Sequence, residues 1–220
     1  MSEAAGKNFW SYLILFVLFV LPLLVYFLFK NLSRPVFQSF PYAYSLSSTT
    51  GDTLYHELPP FTFTDTEGRP FTREDMRGKI WIVSFFSEND RRLSLVLNGN
   101  LRRVYENIED ADFVSLLSVH VTDSLPLSAR YIDSMKVAPD KWKFVNASRE
   151  SVFSLGKEAF RMEEFRGKMP ADSPFTVKMI ALVDPAGRVR RYVYGTDLVG
   201  IRQFNEDIRA LWLLEYRDKE

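Results

Sequence analysis

A sharp change in the pattern of apolar and polar residues runs from Gly78 to Leu95, GKIWIVSFFSENDRRLSL. Residues 80–86 are almost continuously apolar and rich in β-branched and aromatic side chains, which predicts a strand covered on both faces in a mainly parallel sheet. Polar residues follow at 87–90, and from Leu93 to Ile108 apolar residues recur at helical spacing. The chain therefore passes directly from a buried strand into a helix, which is where α/β proteins usually hold their ligands.

Strands and helices alternate on both sides of this junction. Before it, residues 58–64 and 70–72 flank a turn at 66–69 and predict a β-hairpin. After it, the pattern predicts a strand at 113–121, a helix from a Ser124 cap to about Lys136, a short strand at 142–145, a helix from a Ser148 cap to about Phe160, a loop at 161–173, a hairpin of 177–183 and 189–194, and a helix at about 200–214. This order predicts an α/β, thioredoxin-like fold with a central mixed sheet flanked by helices.

The amino-terminal region has a different character. Phe9 to Phe29 carries no charge and, at 1.5 Å per residue, is long enough for a helix to span the ~30 Å core of a bilayer, so it predicts a transmembrane helix. The sequence then divides into a tail at 1–8, the transmembrane helix at 9–29, a tether at 30–54, the thioredoxin-like domain at 55–215 and a tail at 216–220. Lys7 on one side and Lys30 and Arg34 on the other leave the orientation open.

Charge and cysteine content exclude several classes of function. The chain has 28 Lys and Arg against 28 Asp and Glu, so its net charge gives no general affinity for nucleic acid. It has no cysteine. A disulfide framework, a thiolate metal site and a thiol nucleophile or redox pair are therefore excluded.

The polar residues after the buried strand allow two interpretations. Asp90 is placed to cap the following helix by accepting from its free N–H groups, which is a structural role. Alternatively, His120 or Asp123, from the end of the neighbouring strand, would converge on Asp90 and Ser94, with Glu88 beside them. Such a set could bind a hard cation such as Ca²⁺, or Zn²⁺ weakly.

Three stretches resemble one family of proteins. FTFTDTEGRPFTREDMRGKIWIVSFF is similar to its entry hairpin and first core strand, FVSLLSVHVTDSLPLSARYI to its second strand and following helix, and KMIALVDPAGRVRRYVYGT to its last hairpin. From about Tyr55 to Leu214 the chain thus resembles the Sco/SenC family. These are membrane-anchored, thioredoxin-like proteins involved in assembling the copper centre of cytochrome oxidase.

The chain departs from that family at its functional motif. The family has a CPxxCP-type loop after the first core strand and a histidine just before the last hairpin. With the strands in register, Asp90 and Ser94 fall at the two cysteines, and Thr176 falls on or near the histidine. A carboxylate and two hydroxyls cannot replace two thiolates and an imidazole for Cu(I). The resemblance therefore implies the fold and the anchor, but no copper, thiol chemistry or other cofactor.

Two hypotheses of function follow from different classes. The first is a non-catalytic, membrane-tethered accessory protein that binds a protein partner in respiratory oxidase assembly, with its domain on the periplasmic side, as the resemblance implies. The second is a metal-binding or enzymatic protein with a new site around Asp90, His120 and Asp123. The sequence leaves the partner's identity and the oligomeric state open.

Overall fold

A computed structural model describes residues 16–32, 45–47, 53–55, 57–160 and 176–216, in two compact units, Met1–Gln38 and Ser39–Glu220. In the first unit, a π-helical turn at Phe16–Val20 continues into helix α1, Leu21–Leu32. Within the described ranges, no helix combines the length and the apolar character needed to cross a membrane. The predicted transmembrane helix begins at Phe9, outside the described residues, and stays a prediction.

The second unit contains nine strands and four α-helices among its described residues. In chain order they are β1 (Ser45–Ser47), β2 (Thr53–Tyr55), β3 (Thr62–Asp65), β4 (Pro70–Thr72), β5 (Ile80–Phe86), α2 (Arg91–Ile108), β6 (Val114–Val121), α3 (Ala129–Met135), β7 (Trp142–Ala147), α4 (Arg149–Leu155), β8 (Met179–Val183), β9 (Val189–Tyr194) and α5 (Leu198–Tyr216). A 3₁₀ turn at Glu74–Met76 precedes β5, and a π-helical turn at Gly156–Phe160 follows α4.

Seven of the strands form one mixed sheet in the order β4-β3-β7-β6-β5-β8-β9. Strands β5, β6 and β7 are parallel, whereas β3 and β8 run antiparallel to their neighbours. β5 lies inside the sheet, between β6 and β8, and all its residues are buried. The predicted buried strand, the two hairpins and the mixed thioredoxin-like sheet are confirmed.

Alternate residues of β5 face two separate hydrophobic cores. Ile80, Ile82 and Phe86 pack on one face of the sheet with α2 and α5. Trp81, Val83 and Phe85 pack on the other face with the β3–β4 hairpin, α4 and the π-helical turn after it. Both faces are covered, which explains why the sequence of this strand is apolar without alternation.

Helix α3 begins later than the sequence predicted. Its cap is Ser128, whose side chain accepts from the backbone N–H of Tyr131, and not Ser124. Thr122 Oγ1 instead accepts from Ser124 N at 3.2 Å in a local turn, and Leu127 N is held by Asn146 Oδ1 at 2.8 Å. These bonds keep the chain extended past Pro126. The predicted tether also contains a regular element, because β1 and β2 pair as a small antiparallel sheet.

The same turn, Asp-x-x-Gly-Arg, closes both hairpins. At Asp65 and again at Asp184, one carboxylate oxygen accepts from two backbone N–H groups of the turn and the other accepts from the Arg side chain. The glycines have φ of +81° and +83°, where a side chain would be strained. The surroundings differ: Asp184 is fully buried and also binds Arg190 at 3.0 Å, whereas the Asp65 turn is exposed.

A short chain of polar side chains crosses the parallel strands inside the apolar interior. Ser84 and Ser118 are paired residues of β5 and β6, and their hydroxyls lie 2.9 Å apart. Trp142 Nε1 of β7 donates to the Ser118 hydroxyl at 2.9 Å. All three side chains are buried, so these bonds satisfy groups that water cannot reach.

Candidate functional site

The carboxyl end of β5 runs into α2 through the polar residues 87–90, as the sequence predicted. Asp90 is the N-cap of α2, since its Oδ1 accepts from Leu93 N at 3.4 Å and its carbonyl accepts from Ser94 N at 2.9 Å. Asp90 N in turn donates to Ser87 O at 3.0 Å. The capping interpretation of Asp90 is confirmed.

Ser94 and Thr176 lie side by side although they are far apart in sequence. Their hydroxyl oxygens are 3.2 Å apart. Ser94 Oγ donates to Ser87 O at 2.7 Å, and Ser87 N donates to Thr176 Oγ1 at 3.1 Å. Thr176 is held in place by its neighbour Val177, whose N–H donates to Phe85 O at 3.0 Å.

These bonds form a closed ring, which fixes the direction of each proton. The single proton of Ser94 is used on the Ser87 carbonyl, so the bond between the two hydroxyls must be donated by Thr176. Thr176 Oγ1 accepts from Ser87 N in the same ring. Ser94 is only 2% exposed. The ring therefore binds the end of β5 to the start of α2, and among the described residues its hydrogen bonds join neither hydroxyl to a base that could activate it as a nucleophile.

His120, near the end of β6, is buried and is the partner of Phe86 in the pairing of β5 with β6. Its Nδ1 lies 3.1 Å from Asn146 Oδ1, and since that oxygen is an acceptor, we assign the imidazole proton to Nδ1. The centre of the imidazole of His120 lies 5.5 Å from the centre of the Phe86 ring. Burial lowers the pKa of His120 below its usual 6.5, and the bond to Asn146 and the charge of Glu88 oppose this shift without cancelling it. His120 is a neutral, satisfied side chain at pH 7.

Glu88 and Asp123 have partners of their own. Glu88 Oε1 accepts from Ser128 Oγ at 3.4 Å, at the start of α3. Asp123 Oδ1 accepts from Arg149 N at 2.9 Å, at the start of α4, and its other oxygen lies 3.8 Å from Arg149 Nε. Within the part of the chain that the structure describes, no three His, Asp or Glu side chains are grouped to hold a metal ion. The structure therefore does not assemble the metal site that the sequence allowed around Asp90, His120 and Asp123.

Two further polar residues lie near this end of the sheet, Asn98 and Tyr131, and neither was predicted from the sequence. Asn98 is 1% exposed, and its Nδ2 lies 2.5 Å from Tyr131 OH. The Tyr131 ring stacks on Phe86 with centroids 5.6 Å apart, and burial raises the pKa of its phenol. Asn98 lies one turn after Ser94 on α2, and this i, i+4 spacing could have predicted that both side chains lie on the same buried face. Val96 belongs to the apolar pattern of this helix, which predicts a buried position, but its side chain is 46% exposed.

Known proteins resemble this chain in sequence and in fold. No protein-family model matches it. The SCO1 protein homolog of Bacillus subtilis is 20% identical over 167 residues, which are 72% of this chain and 84% of that protein. The solved structure of a SCO1/SenC family lipoprotein from Bacillus anthracis has a TM-score of 0.60 at 20% identity, covering 72% of this chain and 96% of that one. Copper-bound ScoI of Bradyrhizobium japonicum has a TM-score of 0.52 at 16% identity, covering 70% and 98%. The resemblance to the Sco/SenC family is confirmed, and so is the shared fold.

Proposed function

We propose that this chain is a divergent Sco/SenC-type protein that serves cytochrome oxidase assembly as a non-catalytic interaction protein, without copper or thiol chemistry. The observation that carries the proposal is the closed ring of Ser87, Ser94 and Thr176 within a thioredoxin-like fold. The resemblance places copper ligands of the family at Ser94 and Thr176, and here those two positions are hydrogen-bonded to each other.

The chemistry of these side chains supports the loss of the family's metal. Cu(I) prefers thiolate and thioether ligands, whereas Asp90, Ser94 and Thr176 offer only hard oxygen atoms. The Asp90 carboxylate is used as a helix cap, and the two hydroxyls are used in the ring. These hydrogen bonds hold the three side chains in positions set by the helix cap and the ring. With no cysteine in the chain, a disulfide exchange reaction has no reactant.

A protein partner fits the remaining features. The scaffold is intact, with both faces of the sheet covered and its strand ends held by hydrogen bonds. A Sco-type relative of known structure is described as a member of a family of cytochrome c oxidase assembly proteins, and another as a lipoprotein. We extend the role in oxidase assembly and the attachment to a membrane to this chain. Here we propose that the apolar segment 9–29 is the anchor and that the folded domain lies on the periplasmic side.

Copper titration tests the first part of this proposal. We expect the full-length protein in detergent to show no stoichiometric binding of Cu(I) or Cu(II) against a competing chelator. The Asp90→Ala variant is the control, and it should behave identically. Tight binding that is lost in the Asp90 variant would show that the altered loop is a metal site, and the non-metal function would then be wrong.

Partner capture tests the second part. The tagged full-length protein should bring down an oxidase subunit, an assembly factor or a Sco-type protein when it is extracted from cells that make the oxidase. The matched control carries residues 1–52 fused to an unrelated soluble domain. If the control captures the same proteins to the same extent, or if neither captures any of them, the thioredoxin-like domain is not the interacting part.

A reporter that is active only in the periplasm, fused after Glu220, tests the orientation. We expect this reporter to be active, and an inactive reporter would contradict a periplasmic domain.

A further inference from the structure

A cleft of about 420 Å³ opens at the amino-terminal end of the parallel strands, at the end of the sheet opposite the candidate site. It lies where β5 and β7 begin, under the turn that closes the β3–β4 hairpin. Its size is within the range of small-molecule sites in proteins. Nothing in the proposed function uses this region.

The cleft exists because the sheet is incomplete at this edge. β3 ends at Asp65, which pairs with Val145 of β7. Lys143 lies two residues earlier on β7, where β3 has already turned away, so none of the described strands covers its outer side. Residues two apart on a strand point to the same face, so Lys143 projects on the same side as Val145, toward the hairpin. The half-buried Lys143 side chain therefore lines the open cleft.

Positive charge predominates once the ion pairs of the cleft are counted. Two of its three carboxylates are already satisfied: Asp65 by the Arg69 side chain and two backbone N–H groups, and Asp75 by the N–H and hydroxyl of Thr72. Arg77, Lys79 and Lys143 also line the cleft, and within the described ranges none of these three cations has a carboxylate partner. Asp75 keeps its negative charge because its hydrogen bonds come from neutral groups, so Asp75 and Asp140 both oppose these three cations, and the lining keeps an excess of one positive charge.

The floor of the cleft is apolar and rigid. Phe71 and Trp81 are 6% and 3% exposed and meet edge to face, with centroids 5.8 Å apart. Trp81 Nε1 donates to Met76 O at 2.8 Å, which fixes the indole ring. An apolar floor lowers the local dielectric constant and so strengthens the attraction between a bound anion and the surrounding cations.

We propose that this cleft binds an oxyanion of the phosphate class, either as a soluble phosphate compound or as a phospholipid headgroup. Arg77 supplies a planar fork suited to two phosphate oxygens, and Lys79 and Lys143 supply further positive charges in the same lining. The excess of cations over carboxylates favours an anion, and the fork of Arg77 favours one with several oxygen atoms.

Calorimetric titration of the full-length protein in a non-ionic detergent tests the proposal, with pyrophosphate as the first probe and inorganic phosphate as the second. We expect saturable 1:1 binding that weakens as salt is added, because exposed charges are screened. Lys79→Gln and Lys143→Gln should each raise the Kd about tenfold, as expected for the loss of a charged hydrogen-bond donor. Lys178→Gln, which removes an exposed lysine that does not line the cleft, should leave the Kd unchanged.

A third probe distinguishes the two sources of phosphate. Glycerophosphoglycerol, the deacylated headgroup of phosphatidylglycerol, should compete with pyrophosphate if the natural ligand is a lipid headgroup, and should not compete if it is a soluble compound. Binding should also move the indole N–H resonance of Trp81 in the NMR spectrum, which locates the ligand at the cleft. The proposal is overturned if none of the three probes binds saturably, or if Lys178→Gln weakens binding as much as Lys79→Gln does.

Discussion

Replacing Asp90 and Ser94 by cysteine and Thr176 by histidine would return to this chain the three ligands that the Sco/SenC resemblance implies. The geometry favours a gain of copper binding. Two donors about 2.1–2.3 Å from one tetrahedral ion lie about 3.6 Å from each other. The Ser94 and Thr176 oxygens are 3.2 Å apart. Position 90 is one helical turn before position 94, so its side chain can reach the same ion.

The cost of the three substitutions is modest. Loss of the Asp90 cap costs about 1 kcal/mol, and loss of the three bonds in the Ser87–Thr176–Ser94 ring costs roughly 0.5–1.5 kcal/mol each. The sum is about 2.5–5.5 kcal/mol, at or below the lower end of the 5–15 kcal/mol of stability typical of natural domains, so we expect the variant to fold. A site of two thiolates and an imidazole should bind Cu(I) with a Kd below about 1 μM, which corresponds to about 8 kcal/mol.

The assay is a Cu(I) titration under reducing conditions against a chromogenic chelator, together with thermal unfolding. The triple Ala variant at the same positions is the control, because it loses the cap and the ring without gaining donors. Copper should raise the melting temperature of the Cys/Cys/His variant only, as a ligand selective for the native state must. A folded Cys/Cys/His variant that binds no copper would refute the assignment of positions 90, 94 and 176 to the lost ligands.

Four further substitutions test the roles of individual side chains. Asp184→Asn removes the carboxylate charge that binds the buried Arg190 and should cost about 3 kcal/mol, lowering Tm by roughly 6–12 °C. Asp65→Asn in the matching exposed turn should cost less than about 1 kcal/mol, and equal losses in thermal unfolding would contradict the role of burial. Lys136 has a φ of 49° at the end of α3, so Lys136→Gly should stabilise the protein by up to about 1 kcal/mol in urea unfolding, and destabilisation would argue against the left-handed conformation. Burial lowers the pKa of His120, so at mildly acidic pH the unfolded chain binds a proton that the folded chain does not, and the stability should fall as the pH drops below about 6.5. His120→Gln should flatten this dependence between about pH 7.5 and 5.5, and an unchanged slope would show that His120 does not cause it.

The sequence predicted those features that local pattern controls. The apolar run of β5, the Asp90 cap and the Ser148 cap each follow from neighbouring residues, and all three are confirmed. The start of α3 could not be read in this way. Ser124 and Ser128 are both good caps, and the choice between them is made by Asn146, which lies on β7 and binds Leu127 N.

The candidate site was also predicted only in part. The resemblance to the Sco/SenC family placed Ser94 and Thr176 at two ligand positions of one site, and the structure brings them into contact. The sequence could not show that Arg149 holds Asp123 at the start of α4, since that contact depends on how β6 and α4 pack. Nor could it show the cleft at the other end of the sheet, because the cleft results from where β3 stops relative to β7.

The hydrogen-bonded chain of Ser84, Ser118 and Trp142 determines which pairing of the three parallel strands is allowed. A slip of one residue would shift a strand by about 3.3 Å and turn its side chains to the opposite face. The apolar residues on either side of these serines would tolerate many alignments, but a shifted strand would leave buried hydroxyls without partners, at about 1–3 kcal/mol each. Phe86, His120 and Asn146 lie beside one another at the carboxyl ends of the same strands only in the native alignment. Polar residues in the middle of the sheet thus decide which side chains meet at its end.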